Sequence, residues 1–164
     1  MCSRIEKVME GFKIDFGNLK VDQLGFIFKD IEHQAAIMET VFGFSKFIFG
    51  DPRKHTVNYR GVESAISTQL AFSRLRSTQI ELIKWIEGEC IYKEFLDQGK
   101  EGLHHIAFYV ENSGLYIDEF KKKGIGILQT GMTFNTKITH FDTEKDFGVI
   151  VELLEKIRRR KRKK

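Results

Sequence analysis

The sequence predicts an α+β domain built from two tandem strand–helix–three-strand (βαβββ) units. These should pair into a curved, roughly eight-stranded incomplete barrel. Three observations carry this. First, His105-Ile-Ala-Phe-Tyr-Val-Glu-Asn112 matches Gln23-Leu-Gly-Phe-Ile-Phe-Lys-Asp30 position for position: Gln23 falls over His105, Gly25 over Ala107, Phe26 over Phe108, Phe28 over Val110 and Asp30 over Asn112. Second, Gln79-Ile-Glu-Leu-Ile83 echoes Ile150-Val-Glu-Leu-Leu154, setting Glu81 over Glu152. Third, the same order of elements surrounds both matches. A unit with an open sheet leaves an apolar edge, and two copies bury it by pairing.

Taken in order, the chain begins with partial helical spacing at Ile5, Val8, Met9 and Phe12, read as an N-terminal arm over residues 1–20. Residues 21–28 form the first strand, by period-2 alternation. Asp30 caps a helix over about 31–42, whose stripe is Ile31, Ala35, Met38 and Phe42 and which Gly43 stops. Phe44–Phe49 reads as the next strand, residues 54–60 as extended or loop, and 62–75 and 78–84 as two more strands. A connector then forms a short helix at Ile91–Gln98 with Ile91, Phe95 and Leu96 inward. The second unit follows over about 103–155: a strand at 105–111, a helix at 113–123 with Leu115, Ile117 and Phe120 apolar, and strands near 125–130, 136–142 and 147–154.

Composition sets the class. A chain of 164 residues with 41% hydrophobic residues and 15 Phe suits one domain with a substantial core. The net charge of +4 is misleading, because residues 156–164 hold 8 of the 27 basic residues and no acid. The remaining 19 basic and 23 acidic residues leave the body at −4, with a basic tail expected to be disordered. The tail has no aromatic residues for base stacking, so nucleic acid is not an expected partner. No apolar run approaches the ~20 residues of a membrane span. Met1–Val8 lacks a signal-peptide core, and Cys2 and Cys90 form no disulfide framework, so a cytoplasmic location is expected. Gly124-Ile-Gly126 follows a helix rather than preceding one, and is not a phosphate loop.

Repeat matching also selects a site. Gln23, Glu81, His105 and Glu152 occupy two equivalent positions in each unit, and all carry oxygen or nitrogen donors suited to a divalent cation. His104 should face the opposite side of its strand from His105 and serve structure. His33, His55 and His140 lack partner spacing and are expected at the surface.

The chain also resembles a known family. Lys29-Asp-Ile31 opening a helix that ends Val41-Phe-Gly-Phe44, then Glu101-Gly-Leu-His-His-Ile-Ala-Phe108, then Phe147-Gly-Val-Ile-Val-Glu-Leu153 are similar to the vicinal oxygen chelate superfamily. That superfamily includes glyoxalase I, methylmalonyl-CoA epimerase, ring-cleaving dioxygenases and antibiotic-resistance proteins. The likeness spans about residues 21–155, and its wording is most like methylmalonyl-CoA epimerases. It implies a glyoxalase-like barrel and a divalent metal ion (cobalt, zinc, nickel or manganese) held by Gln23, Glu81, His105 and Glu152. It also implies a small-molecule substrate and a homodimer.

Two positions depart from the epimerase pattern. Gln23 stands where those enzymes usually have His. Tyr59 stands where they carry a catalytic Glu, and a phenol with a pKa near ~10 is a poor base at neutral pH. Tyr59 is read as lining the substrate pocket or simply packing. The set Gln, Glu, His, Glu is the one expected of some glyoxalase I enzymes. The expected function is a metal-dependent isomerase that moves a proton next to a carbonyl, with Glu152 and Glu81 as catalytic groups. Methylmalonyl-CoA, an acyl-CoA thioester, is the first candidate substrate and a thiol hemithioacetal the alternative. A non-catalytic small-molecule-binding module is the third reading. A ring-cleaving dioxygenase needs two His and one carboxylate on iron, and the quartet has one His.

Overall fold

Nine strands and four helices make up residues 16–157, the part that the computed structural model describes. The expected leader helix near Ile5–Phe12 and most of the basic tail lie outside the described residues. The first unit contains β1 (Gln23–Ile27), α1 (Ile31–Thr40), β2 (Ile48–Phe49), β3 (Arg53–Tyr59), β4 (Val62–Leu75) and β5 (Thr78–Glu87). A connector helix α2 (Ile91–Asp97) leads to β6 (Gly102–Val110), α3 (Ser113–Lys122), β7 (Ile127–Thr133), β8 (Thr136–Phe141), α4 (Glu144–Phe147) and β9 (Ile150–Lys156).

Eight of the strands pair around a curved, barrel-like sheet in the order β4, β3, β7, β8, β9, β6, β1, β5, and β5 returns to β4. Each unit supplies four neighbours, and the units meet at two antiparallel seams, β1–β6 and the three-residue β3–β7 ladder. The extra strand β2 pairs with β4 at Phe72 and Ala71, beyond the end of β3.

The expected strand at Phe44–Phe49 shrinks to Ile48–Phe49, and β3 takes its place as the first of the three strands after the helix. The reason lies in spacing. Phe44 and Phe47 are three residues apart, and both pack into the α1 core, which strict alternation forbids. The Phe47 N–H donates to Glu39 Oε1 at 2.6 Å, outside any ladder.

Helix α1 starts where the Asp30 side chain accepts the His33 N–H, and lays Ile31, Ala35 and Met38 over Leu24, Phe26, Ile80 and Leu82 on the outer sheet face. Helix α3 repeats this: Asn112 accepts the Gly114 N–H, and Phe120, Tyr116 and Ile117 pack on Phe108, Phe141, Val151 and Leu153. Of the three apolar residues named for this helix, Leu115 is exposed, and Tyr116 packs beside Ile117 and Phe120. Each large side chain so buried contributes about 1.5–3 kcal/mol. With both helices outside, the inner sheet face is left for polar residues. Helix α2 covers part of it, packing Ile91 and Tyr92 against Leu128 and Ile150. Among the described residues no helix is long and apolar enough to cross a membrane.

Glu155 ties the second helix to its sheet. Its Oε2 accepts from Ser113 N–H at 2.9 Å and Ser113 Oγ–H at 2.6 Å, and these bonds hold its carboxyl below the usual range. Glu155→Ala should cost about 0.5–1.5 kcal/mol in thermal melts at neutral pH. A folded-state pKa below the unfolded value gives stability that is present above pH ~4.3 and lost as pH falls. The gap between wild type and variant should therefore close in acid, and a gap that persists unchanged below pH ~3 would mean that the charge is not involved.

Candidate active site

Register alone puts the four repeat-matched residues on one face. The parallel ladders are equivalent in the two units: Gly25 pairs with Glu81, and Ala107 with Glu152. Across the β1–β6 seam, Gly25 pairs with His105 and Gln23 with Ala107. Directly paired residues share a face, as do residues two apart on one strand. Gln23, Glu81, His105 and Glu152 therefore all face the inside of the barrel. On β8, His140 pairs with Glu152 and joins them.

His105 Nε2 lies 3.3 Å from Glu152 Oε2 and 3.7 Å from Glu81 Oε2. His140 Nε2 lies 3.2 Å from Glu152 Oε1. Gln23 is close by in the sheet but turns its Nε2 to Gln79 Oε1 at 2.8 Å. Donor atoms of His105, His140 and Glu152 all lie within 4.8 Å of one another.

His140 corrects the sequence reading, which put it at the surface: it is completely buried. Its counterpart in the first unit, opposite Glu81, is Phe72, so repeat matching gave no signal. Counting back from Glu152 through an antiparallel hairpin would have found it. His55, also expected at the surface, is half-buried in the cleft wall, while His33 is exposed as expected.

His104 does not turn away from His105 as alternation requires. The β1–β6 register shifts between Gly25 and Phe26, whose partners are His105 and Leu103, so His104 is the extra residue of a β-bulge. The bulge re-aims its ring, and His104 Nδ1 comes 3.0 Å from His105 Nδ1.

Electrostatics separates these groups. Burial works against a charged His105, but Glu152 and Glu81 outweigh it and raise its pKa to about 10. Burial lowers His140 to about 4 despite Glu152. Burial, reinforced by His105 and His140, holds His104 well below the usual imidazole range. The two carboxylates diverge. Burial pushes Glu81 up, whereas at Glu152 the opposing burial is overcome by His105 and His140, which hold it down.

The cluster fits a divalent cation. His105 Nε2, His140 Nε2 and Glu152 Oε2 are buried without a hydrogen-bond partner; the ion pairs are close but misaligned. A buried polar atom left so costs about 1–3 kcal/mol. Two imidazole nitrogens and a carboxylate suit a borderline cation such as zinc or cobalt.

A cleft of about 250 Å³ opens above the cluster. Gln23, Gln79, Glu81 and Glu152 form its polar end, and Leu70, Phe72 and Leu154 an apolar wall. Tyr59, a candidate for the substrate pocket from the sequence, is not among the lining residues: its hydroxyl donates to Glu94 at 2.7 Å, and its ring packs with Tyr92 and Ile91.

A family model described as the glyoxalase/bleomycin resistance protein/dioxygenase superfamily matches residues 22–141. The chain belongs to this superfamily. Solved structures with the same fold include a hypothetical protein of Bacillus halodurans, at 18% identity and TM-score 0.63, covering 88% of this chain and 99% of that one. A Streptomyces coelicolor methylmalonyl-CoA epimerase variant in complex with 2-nitronate-propionyl-CoA has 18% identity and TM-score 0.62, covering 84% and 94%. The methylmalonyl-CoA epimerase of Mycobacterium tuberculosis has 16% identity and TM-score 0.59, covering 84% and 87%. No curated protein matches. At these identities the structural likeness shows the superfamily fold.

Proposed function

We propose that this chain is a metal-dependent isomerase that removes and returns a proton on the carbon next to a carbonyl. The observation that carries the proposal is the pair of repeat-equivalent carboxylates, Glu81 and Glu152, that both approach the buried His105. Gln23, Glu81, His105 and Glu152 would hold the cation, and His140, whose donor atom converges with those of His105 and Glu152, would join them. A divalent ion (cobalt, zinc, nickel or manganese) supplies Lewis-acid stabilisation of enolate charge there.

The chain's own groups divide the remaining work. Glu152, held ionised by two imidazoles, is the base that takes the proton. Glu81, pushed up by burial, is the group suited to returning one. In this reading the pseudo-two-fold relation of the units would put them on opposite sides of the metal, which suits removal of a proton from one face and delivery to the other. The apolar wall takes the substrate's acyl chain and keeps water from the enolate. Tyr59, bonded to Glu94, leaves no base at the position where epimerases carry theirs.

The substrate class proposed first is an acyl-CoA thioester bearing a carboxylate, as methylmalonyl-CoA. It is supported by the sequence wording and by fold neighbours that are epimerases. The hemithioacetal of a 2-oxoaldehyde and a thiol, the glyoxalase I reaction, is favoured by the set Gln23, Glu81, His105, Glu152. His140 adds an observation for a third reaction. With His105 and Glu152 it makes two imidazoles and one carboxylate, the donor set of non-haem iron(II) oxygenases. A homodimer and a cytoplasmic location belong to the same proposal.

The test is to assay the metal-loaded protein in deuterated water on methylmalonyl-CoA, on methylglyoxal hemithioacetal and, with iron(II), on catechols. Glu81→Gln sharpens it. If Glu81 serves the second face, the variant should exchange the α-proton of one enantiomer with solvent yet fail to complete epimerisation. Exchange and epimerisation falling together would make Glu81 a ligand only. No turnover or exchange with any substrate and any of these metals would leave a binding module of the same fold.

A further inference from the structure

We infer that His104 is a positioning residue: it accepts the His105 Nδ1–H and so fixes the His105 ring with Nε2 turned toward Glu152 and Glu81. This inference rests on the metal-binding reading above.

Three observations converge. The two Nδ1 atoms are 3.0 Å apart in a buried setting, so one must donate to the other. The far side of the His105 ring settles which one does. Its Nε2 faces two carboxylates and is the nitrogen that would meet the cation. With Nε2 on the metal, Nδ1 is the one protonated nitrogen of a neutral ring. His105 Nδ1–H is then the donor and His104 Nδ1 the acceptor.

The surroundings hold His104 to that task. It is buried, with Phe95 and Tyr92 edge-on to its ring at centroid distances of 5.1 and 5.6 Å. The third observation is the bulge. It gives up ladder pairing at His104 to bring both rings to one side, a cost that an ordinary core histidine would not require. A residue that orients a ligand histidine through its other nitrogen commonly changes metal affinity by about 10–100-fold when removed.

The experiment uses the full chain. Imidazole ¹⁵N spectra of the zinc-loaded protein should show His105 Nδ1 protonated and His104 Nδ1 bare. Cobalt(II) titration with chelator competition should then show His104→Phe binding about 10–100-fold more weakly than wild type. His104→Asn, whose side-chain oxygen can accept in place of Nδ1, should recover most of that loss. If His104→Phe does not fold, the spectra and His104→Asn decide alone, since His104→Asn should keep near-normal affinity and a protonated His105 Nδ1. A bare His105 Nδ1, wild-type affinity in His104→Phe, or equal loss in both variants would overturn the inference. Wild-type protein that binds neither zinc nor cobalt would remove the metal reading and the inference with it, whereas metal binding with a bare His105 Nδ1 overturns the inference alone.

Discussion

Glu152→Gln is expected to lower turnover by about 10²–10⁴ while the protein stays folded, the usual share of general acid–base catalysis. Glu152 faces both imidazoles: Oε2 lies 3.3 Å from His105 and Oε1 3.2 Å from His140. Gln keeps the shape and one oxygen, so the site should still accept a cation with reduced affinity. It cannot take up a proton, so the loss should appear in kcat rather than in KM. Solvent exchange of the substrate α-proton should fall in parallel, because removal itself is blocked. The measurement is steady-state kinetics beside exchange in deuterated water, with circular dichroism as the fold control. Near-normal kcat in a folded, metal-loaded variant would take the base role from Glu152. A binding module would instead keep its ligand affinity in the variant and show no exchange even in the wild type.

The inner face of this barrel was legible in the sequence because the repeat carries its register with it. Setting Gln23 over His105 and Glu81 over Glu152 is the same statement as the Gly25–Glu81 and Ala107–Glu152 ladders. What could not be read was whatever breaks the repeat or the alternation. His140 breaks the repeat, since its counterpart is Phe72. His104 breaks alternation, since a bulge arises from the pairing of two strands far apart in sequence and leaves no mark on either one. Phe44–Phe49 reads as a strand by apparent alternation, which the packing of both Phe44 and Phe47 on α1 breaks. Tyr59 was placed by analogy to a site position. The carboxylate that claims its hydroxyl, Glu94, sits in the connector, outside both repeats.

Gly25→Ala should damage the site more than its size suggests. Gly25 has no positive φ, so alanine fits the backbone, and any effect is steric. The His105 ring lies against it: an added Cβ would stand 2.7 Å from His105 Nδ1 and nearer still to Cε1 and Nε2. The ring cannot step aside cheaply, because it is fully buried, with carboxylates at Nε2 and His104 at Nδ1. Overpacking of this kind costs about 1–3 kcal/mol. That exceeds the ~0.4–1 kcal/mol gained by restricting the unfolded chain. The net result should be a lower thermal midpoint, together with cobalt(II) affinity reduced at least tenfold because a ligand is displaced. The second unit provides the control. Ala107 is the counterpart of Gly25, and its seam partner is Gln23 rather than a ring. Ala107→Gly should therefore cost only about 0.5–1 kcal/mol of strand stability and leave cobalt affinity near that of wild type. Thermal melts of the metal-free variants beside cobalt titrations separate the two effects. Wild-type affinity and stability in Gly25→Ala would mean that the ring does not rest on Gly25, and with it the placement of His105 between Glu81 and Glu152 would fall.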